Sequence, residues 1–385
     1  MKRMISSLFI TLGTSFLMTY MPLYVHAAAL EMNGNVAISG TVSAVSFTGS
    51  GVGITNIPGT AITNTSITVN QLADGAVTAD KLADSAVTAD KLADATVTPA
   101  KIGFLGKVAI VAVSGGDYTN PATAMSDYSS WCGAPSATNT CLLKIMPGTY
   151  DIGTSSVQMQ SYIDIEGSGE NTTIIKGSLA SLTSGAVNGA SNAEIRFLSI
   201  KNTVVGTYAI AVYNSGASLK MTNVTATASG ATSNNFGIRN ENSSSPTILN
   251  VTATASGGAT SYGIINLGSS SATLTNVTAT GSGGTSTNIG VYNHTSSATM
   301  MNVTATGTGG STLNAGVYNY ASSGSYTVKI NHSIISGTSS SVNTDSQNFT
   351  TLVGSSELGG ASVNGPVTCA GVYDANYTFH PSSCP

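Results

Sequence analysis

Few side chains in this chain could carry acid–base chemistry. Its 385 residues include 17 Asp and Glu, 13 Lys and Arg and 4 His, with a formal net charge of −4. Between residues 203 and 340 the charged side chains include one Glu and no Asp; they are Lys220, Arg239, Glu241 and Lys329. Glycosidases need two carboxylates that face one cleft. We therefore do not expect a paired-carboxylate mechanism in this stretch.

Four acids that precede this stretch are the remaining candidates for catalysis. They are Asp151, Asp164, Glu166 and Glu170. A carbohydrate-active enzyme with an unrecognised site would need at least two of them to converge in a cleft. His294 and His332 have no neighbouring carboxylate or Ser in a recognised catalytic order. We interpret both as exposed loop histidines.

Five side chains in the second half could contact a ligand without catalysis. Arg239 and Glu241 lie two residues apart, so on a strand they share one face. A surface ion pair is the simplest interpretation, and a glycan contact is the alternative. Tyr213, Tyr292 and Tyr318 alternate with aliphatic residues, so we expect them to face outward in a partial row. Exposed aromatic rows often bind sugar rings, but Tyr is also an ordinary strand residue.

Pairs of Thr separated by one Ala form another candidate surface. Stacked, they would make two columns of Thr on a flat face; they are Thr225 and Thr227, Thr252 and Thr254, Thr278 and Thr280, and Thr304 and Thr306. This array resembles the Thr-x-Thr faces of ice-binding β-solenoids, which makes ice binding a minor alternative function. Thr is also a common solvent-facing residue of strands.

A repeat of 26 to 27 residues must position all of these side chains. Asn-Val-Thr-Ala-Thr recurs at positions spaced by 27, 26 and 26 residues, starting at Asn223, Asn250, Asn276 and Asn302. A second motif of four consecutive residues, the upstream motif, consists of a small residue, an aliphatic residue, any residue and Asn. It occurs in the five segments 211–214, 237–240, 263–266, 290–293 and 316–319. Fixed periods of this size indicate a solenoid, in which each coil packs on its neighbours.

The repeat also predicts which side chains form the core and the corners. We expect the aliphatic residue of the upstream motif to point inward, together with Leu219, Leu274, Met300, Val224, Val251, Val277 and Val303. The Asn of Asn-Val-Thr should lie at a corner, because Asn tolerates the left-handed backbone. Stacked Asn amides could then bond from coil to coil as a structural ladder.

Residues 104–177 contain motifs that carry a resemblance to a known family. Residues 120–128 begin with Asn-Pro and suit a short capped helix, and residues 142–150 read Leu-Leu-Lys-Ile-Met-Pro-Gly-Thr-Tyr. Residues 163–175 follow with a Gly-rich turn and Ile-Ile. This order resembles the N-terminal part of pectin-lyase-like right-handed β-helices, pectin methylesterases especially. The resemblance implies an all-β fold, a single-stranded right-handed parallel β-helix.

The same resemblance does not extend to catalysis. Pectin methylesterases use two Asp, an Arg and Gln donors, and their catalytic strings are not found after residue 177. We therefore expect a non-catalytic protein with a structural or adhesive role and possible glycan binding. No cofactor or metal is expected. A nucleic-acid partner is not expected either, because the sequence has no basic stripe.

The first hundred residues differ in character from the repeats. Met1-Lys2-Arg3, an apolar run and small residues near Ala27 predict a signal peptide over 1–29, hence a secreted or cell-surface protein without a later membrane span. Residues 30–103 resemble phage tail-fibre and surface-stalk proteins. In this segment apolar residues recur every five positions, at Leu72, Val77, Leu82, Val87, Leu92, Val97 and Ile102. Such a narrow seam favours a homotrimer, and a flexible spacer is the alternative.

Four cysteines complete the organisation. An even count in an exported chain predicts two disulfides, Cys132–Cys141 and Cys369–Cys384. We predict five segments: a signal peptide (1–29), a stalk or oligomerisation region (30–103), an opening region with an N-terminal cap (104–177), β-helix coils (178–345) and a closing segment with a disulfide (346–385).

Overall fold

The computed structural model describes residues 39–41, 67, 72–73, 75–82, 87–88 and 107–385. The predicted signal peptide and much of the predicted stalk lie outside these residues. The chain divides into two compact units, Met1–Val87 and Thr88–Pro385. In the described part of the first unit, a 3-10 turn spans Ala79–Lys81, and the apolar residues that recur every five positions are about half exposed: Leu72, Val77, Leu82 and Val87.

The second unit is a right-handed β-solenoid of about eight turns, as predicted. It contains two short helices, α1 (Pro121–Ser126) and α2 (Tyr128–Trp131). Its strands before the repeats are β1 (Lys107–Val111), β2 (Cys141–Ile145), β3 (Gly148–Gly153), β4 (Val157–Gln158), β5 (Ile163–Glu166), β6 (Thr173–Gly177) and β7 (Val187–Asn188). The repeat strands are β8 (Glu194–Ser215), β9 (Lys220–Glu241), β10 (Thr247–Ser256), β11 (Thr260–Leu267), β12 (Ser271–Ser282), β13 (Thr287–His294), β14 (Ser297–Thr308) and β15 (Leu313–Tyr320).

The closing strands are β16 (Tyr326–Asn331), β17 (Ile334–Gly337), β18 (Ser340–Thr344), β19 (Phe349–Gly354), β20 (Glu357–Gly360), β21 (Val367–Ala370), β22 (Val372–Asp374) and β23 (Phe379–His380). All strands pair in parallel except β22 with β23. Each repeat coil has three straight segments, which stack into three faces. We name them face A (220–222, 247–249, 273–275 and 299–301), face B (224–229, 251–256, 277–282 and 303–308) and face C (234–241, 260–267, 287–294 and 313–320).

The core consists of aliphatic columns, one from each face. Leu274 and Met300 from face A and Val277 and Val303 from face B are at most 1% exposed. The aliphatic residues of the upstream motif fill the interior from face C; Val212, Ile238, Ile264, Val291 and Val317 are fully buried. The predicted inward positions are thereby confirmed. Burial of apolar surface contributes ~25 cal/mol per Å², so these columns are the main stabilising contribution.

The corner between faces A and B has a left-handed backbone in successive coils. Its φ values are 52° to 55° in the four Asn of the repeat, Asn223, Asn250, Asn276 and Asn302. The same column continues to Phe197 (57°) on one side and to His332 (49°) and Ser355 (46°) on the other. Asn adopts this conformation at lower cost than other side chains, which explains its recurrence at this point of the repeat.

Glycine is required where face C passes close to face B. A Cβ on Gly290 would lie 2.6 Å from the backbone N of Thr306 and 2.7 Å from the carbonyl oxygen of Gly316. Gly263 meets the equivalent atoms of Thr280 and Gly290. The small residue of the upstream motif therefore permits face C of one coil to approach the backbone of the next coil.

Both ends of the coil stack are covered, as parallel strands require. At the start, Asn120 caps α1 by accepting hydrogen bonds from the N–H groups of Ala122 and Thr123, and Pro121 fills the first turn. At the other end β23 pairs antiparallel with β22. The disulfides Cys132–Cys141 and Cys369–Cys384 are both formed, which confirms the predicted pairing. None of the helices in the described residues is long and apolar enough to cross a membrane.

Candidate functional surfaces

Three acids from β5 and β8 converge, but around an arginine. On the outer side of β2, β5 and β8, Arg196 contacts Glu166 at 2.8 Å, Asp164 at 3.1 Å and Glu194 at 3.2 Å. Lys144 binds the second oxygen of Glu166 at 2.8 Å. The hydrogen bond from Lys144, followed by the contact with Arg196, holds the pKa of the Glu166 carboxyl below its usual range. A carboxyl kept ionised in this way is a poor general acid.

The other oxygens of this network are also occupied. The second oxygen of Asp164 accepts the backbone N–H of Glu194 at 2.8 Å. Glu194 accepts the Thr222 hydroxyl at 2.5 Å and lies 3.3 Å from the Lys220 ammonium. We name these six charged residues the Arg196 network: Lys144, Asp164, Glu166, Glu194, Arg196 and Lys220. Its side chains share charge and hydrogen bonds with each other, which is the pattern of a structural ion network.

The remaining two candidate acids do not form a pair. Asp151 accepts the N–H of Gly153 at 2.9 Å and binds Lys176 at 3.2 Å, and these two contacts lower the pKa of its carboxyl. The pKa of the Glu170 carboxyl is raised, and burial is the cause. Glu170 is therefore a single carboxyl, whereas glycoside hydrolysis needs two.

Arg239 and Glu241 form the predicted ion pair, but it is not a surface pair. Two guanidinium nitrogens bind one Glu241 oxygen at 2.6 Å and 2.9 Å, and the two side chains are only 13% and 14% exposed. Arg239 also lies over the Phe236 ring, 5.3 Å from its centroid. The Tyr213 hydroxyl donates to the other oxygen of Glu241. The prediction that Tyr213 faces solvent is wrong, because this side chain is 8% exposed.

Tyr213 is buried because face C carries a second apolar cluster on its outer side. Ile210, Phe236 and Ile265 belong to this cluster and are at most 4% exposed. Leu182, from the segment between β6 and β7, packs against it. The sequence gives no sign that this segment reaches face C, so alternation alone could not predict the burial.

Tyr292 and Tyr318 belong to a longer row of rings. Phe236, Tyr262, Tyr292 and Tyr318 stack in succession, with centroids 5.4, 5.7 and 5.0 Å apart and planes within 24° of parallel. His294 stacks on Tyr320 at 5.4 Å with planes 4° apart, and it contacts Tyr292. We name these six residues the aromatic strip: Phe236, Tyr262, Tyr292, His294, Tyr318 and Tyr320. His294 therefore lies on β13, and its prediction as a loop residue is wrong.

Ring stacking decides what the aromatic strip offers to a ligand. Most ring faces contact another ring, so the strip presents ring edges and phenolic oxygens along the solenoid axis. The row ends at Tyr318, because the next coil places Asn343 beside it. The Tyr318 hydroxyl donates to Asp345 at 3.1 Å, and burial together with this carboxylate raises the pKa of Tyr318 to about 12. The phenols therefore act as neutral hydrogen-bonding groups.

The predicted Thr pairs lie in register on the outer side of face B. Thr225, Thr252, Thr278 and Thr304 form one column, and Thr227, Thr254, Thr280 and Thr306 form the next. Each Thr is exposed or half-buried, and the Ala between the two Thr of each pair is buried. A third column adds Ser229, Ser256, Ser282 and Thr308. The coils are separated by ~4.8 Å, so the result is a flat, uncharged hydroxyl array.

The corner Asn side chains form a chain of amide hydrogen bonds. Asn250 donates to Asn223 at 3.0 Å, Asn276 to Asn250 at 3.0 Å and Asn302 to Asn276 at 2.7 Å. Three of these four side chains are exposed. Since each amide binds its neighbours, this corner ladder has a structural explanation.

A second, buried ladder was not predicted. Asn214, Asn240, Asn266, Asn293 and Asn319 are fully buried, and each of the first four donates to the next at 2.8 Å. Asn319 closes the ladder on the hydroxyls of Thr344 and Thr351. The signal was present in the sequence, because each Asn lies two residues after a buried aliphatic and alternation puts both on one side.

Metal-ligating geometry is not found in the described residues. Residues 39–41, 67, 72–73, 75–82, 87–88 and 107–385 contain no group of three or more His, Cys, Asp and Glu placed to hold an ion. His332 is exposed at the corner between faces A and B.

Comparisons with known proteins support the fold and nothing finer. No protein-family model matches the sequence, and no characterised protein matches it either. A solved pectin methylesterase from Erwinia chrysanthemi is similar in structure, with 10% identity, a TM-score of 0.37 and coverage of 70% of this chain and 90% of that chain. Another is ORF18 of Geobacillus virus E2, with 12% identity, a TM-score of 0.37 and coverage of 74% and 65%.

A third similar structure is the A-module of a mannuronan C-5 epimerase from Azotobacter vinelandii. It has 14% identity, a TM-score of 0.30 and coverage of 66% of this chain and 95% of that chain. At these values the likeness concerns the β-helix alone. Activity has to be argued from the side chains of this chain.

Proposed function

We propose that this chain is an exported, non-catalytic β-helix rod with a structural or adhesive role at a cell surface or in an extracellular matrix. Polysaccharide would contact it along the aromatic strip. The observation that carries the proposal is the contrast between the acids and the strip. The acids that could cleave a glycan are ion-paired or single, whereas an uncharged strip of rings follows the solenoid axis.

The strip suits a neutral chain molecule more than a small charged ligand. Its polar groups are phenolic oxygens and the His294 imidazole; nearby, Arg239 is paired with Glu241, and the Asp345 carboxylate at one end accepts the Tyr318 hydroxyl. Four stacked rings in adjacent coils extend for roughly 15 Å at ~4.8 Å per coil. A polysaccharide laid along the axis would meet a similar contact in each coil. Repetition of this kind produces avidity without any single strong site.

Export is supported by the cysteines. Both disulfides are formed, and no free cysteine is found in the chain. Disulfides persist in oxidising compartments and are rare in the cytosol. A signal peptide over 1–29 stays a prediction, and N-terminal sequencing of the exported protein would test it.

Retention on insoluble polysaccharides tests the strip. The mature protein and a Tyr292→Ala/Tyr318→Ala variant would be compared on cellulose, chitin, xylan and pectin particles. We expect the variant to lose at least tenfold in retention while its far-UV circular dichroism stays unchanged. Val205→Ala is the matched control, because Val205 is fully exposed and lies outside the strip. Equal retention of all three proteins would remove the strip from the proposal.

A carbohydrate-active enzyme with an unrecognised site is the alternative. Glu170 is the acid that favours it, because burial raises the pKa of its carboxyl and a raised pKa suits a general acid. Soluble product from any polysaccharide, lost in a Glu170→Gln variant, would establish this alternative.

Ice binding through face B is a second candidate function. The in-register hydroxyl columns favour it, since a rigid array of β-branched Thr repeats its groups at fixed spacing. Inhibition of ice recrystallisation that is lost in Thr278→Lys would support it. No inhibition at any protein concentration would eliminate it.

Self-association through residues 30–103 also stays a prediction. The four described seam residues Leu72, Val77, Leu82 and Val87 are about half exposed, so their apolar surface is available to a partner chain. Sedimentation of the mature protein would give three times the chain mass if the trimer forms, and one chain mass if the segment is a spacer.

A further inference from the structure

The C-terminal hairpin carries exposed aromatic rings that no part of the repeat explains. Tyr373, Tyr377 and Phe379 are 41%, 75% and 53% exposed. Among the described residues, the other strongly exposed aromatic side chain is Phe197, on β8 at the corner between faces A and B. Large exposed apolar groups clustered within seven residues are an informative feature, because folding gains nothing from their exposure.

Hydrogen bonds to Asp374 fix the backbone of the hairpin that carries these rings. One oxygen of Asp374 accepts the N–H groups of Asn376 at 2.8 Å and Thr378 at 2.9 Å. The bond from Thr378, and then that from Asn376, lowers the pKa of the Asp374 carboxyl, so this group stays ionised. Backbone bonds join Asp374 and Thr378, and the N–H of Tyr377 donates to the Asp374 carbonyl.

Covalent and backbone contacts anchor the base of the hairpin. The Cys369–Cys384 disulfide spans it, and Gly371 donates to the carbonyl of Pro381 at 3.0 Å. Tyr377 itself has a φ of 60°, an uncommon conformation for a bulky residue. A ring carried on a fixed backbone loses less entropy on binding a ligand than a ring on a mobile loop.

These rings differ from those of the aromatic strip in how they face each other. Tyr373 and Phe379 are tilted by 44° at a centroid distance of 5.1 Å, so they form an angled platform instead of a closed stack. Tyr377 is three-quarters exposed and stacks on no ring among the described residues. Ring faces, and not only edges, are therefore open to a ligand here.

The exposed area indicates the size of the partner. Three aromatic side chains of about 150–250 Å² each at these exposures offer about 250–420 Å². A specific protein interface needs ~800 Å² on each side. The three rings alone supply about half of that area or less, which favours a partner that needs only a small contact, and a few rings of a sugar chain match it.

The chemistry of the surroundings fits a sugar as well. A pyranose ring has an apolar C–H face, which packs on aromatic rings, and a rim of hydroxyl groups, which need polar partners. Asn376 and Thr378 are exposed beside the rings, and Glu357 pairs with Tyr373 across β20 and β22. We propose that Tyr373, Tyr377 and Phe379 form a carbohydrate-binding site for a short stretch or the end of a glycan chain. This site deepens the proposed adhesive function and rests on it.

A fluorescence titration tests this site directly. The chain contains one Trp, at position 131, far along the sequence from the hairpin. A Tyr377→Trp variant keeps an aromatic ring at the tip and adds a probe there. We expect soluble oligosaccharides of cellulose, chitin or xylan to change its emission in a saturable manner, with no change in the wild-type protein. An unchanged emission with all three series would overturn the site.

Reciprocal variants separate this site from the aromatic strip. Tyr377→Ala/Phe379→Ala should lower retention on the preferred polysaccharide at least tenfold, whereas Tyr377→Phe should retain it. If the hairpin variant binds like wild type and only Tyr292→Ala/Tyr318→Ala is released, the hairpin site is wrong and the proposed function stands. If wild type binds no glycan or releases product, the proposed function itself fails. Intact disulfides in the hairpin variant, shown by the absence of free thiol, exclude misfolding as the cause.

Discussion

The opening coils and the repeat coils share one architecture but stabilise it with different chemistry. Where the opening coils meet the first repeat strands, β8 and β9, six charged side chains form the Arg196 network on the outer surface. In the repeat coils, the equivalent stabilisation comes from two ladders of neutral amides, one buried and one at the corner. Charged side chains connect coils that differ in sequence, and stacked amides connect coils that repeat.

This difference teaches how to interpret the polar residues of a solenoid. An amide both donates and accepts, so identical residues in successive coils satisfy each other without limit. A charged side chain repels its own copy one coil away, so a charged position cannot repeat without a partner. A repeated Asn is therefore first a structural residue, and functional groups are better sought where the repeat is broken.

Removing one buried Asn should have the largest effect on stability. In Asn266→Ala the Asn240 amide and the Asn293 carbonyl lose their partners, and each buried group left unpaired costs ~1–3 kcal/mol. We expect a loss of about 4 kcal/mol in the free energy of unfolding, measured by urea denaturation. The matched control is Asn276→Ala at the exposed corner, for which we expect a loss of about 1 kcal/mol. Equal losses would contradict a special role for the buried ladder.

Breaking the Arg196 network should have the next largest effect. Arg196→Met leaves three carboxylates without their shared partner, and their side chains are 17–38% exposed. Loss of a buried partner costs ~3–5 kcal/mol, and partial exposure reduces this to about 2 kcal/mol. The effect should shrink at high salt, whereas that of Asn266→Ala should not. A salt-independent loss in Arg196→Met would show that packing, and not charge, explains it.

The two regions should also differ in their response to acid. The pKa of Glu166 is lowered in the folded state, first by Lys144 and then by Arg196. Its contribution to stability is complete above the unfolded value of ~4.3 and is lost as pH falls through the lower folded value. The stability difference between wild type and Glu166→Gln should therefore narrow below about pH 4.3. The stability difference between wild type and Asn266→Ala should be the same above and below this pH.

The smallest expected effect is a gain. Phe197 occupies the left-handed corner column next to Asn223, with a φ of 57°, and it is 40% exposed. Because Asn tolerates this conformation better by ~1 kcal/mol, Phe197→Asn should extend the corner ladder and stabilise the protein by about that amount. Phe197→Leu keeps an apolar side chain without that tolerance, so no gain is expected. A destabilised Phe197→Asn would indicate that the ring contributes contacts of its own.

The sequence predicts the coils well because local periodicity determines them. Columns such as Val277 and Val303 follow from alternation within one repeat, and the short helix at Pro121 follows from its Asn cap. The Arg196 network could not be predicted, because Lys144, Glu166 and Arg196 meet only through the register of three coils. The burial of Tyr213 depends on Leu182, and the hairpin platform depends on a turn that occurs once. Local patterns do not encode such contacts.

The central claim is that the chain binds glycans without cleaving them. Incubation of the mature protein with soluble and insoluble polysaccharides, followed by assays for reducing ends, unsaturated uronides and released methanol, tests it most directly. We predict retention on at least one polysaccharide and no product above a heat-denatured control. Product formation that scales with protein concentration would contradict the account and direct attention to Glu170.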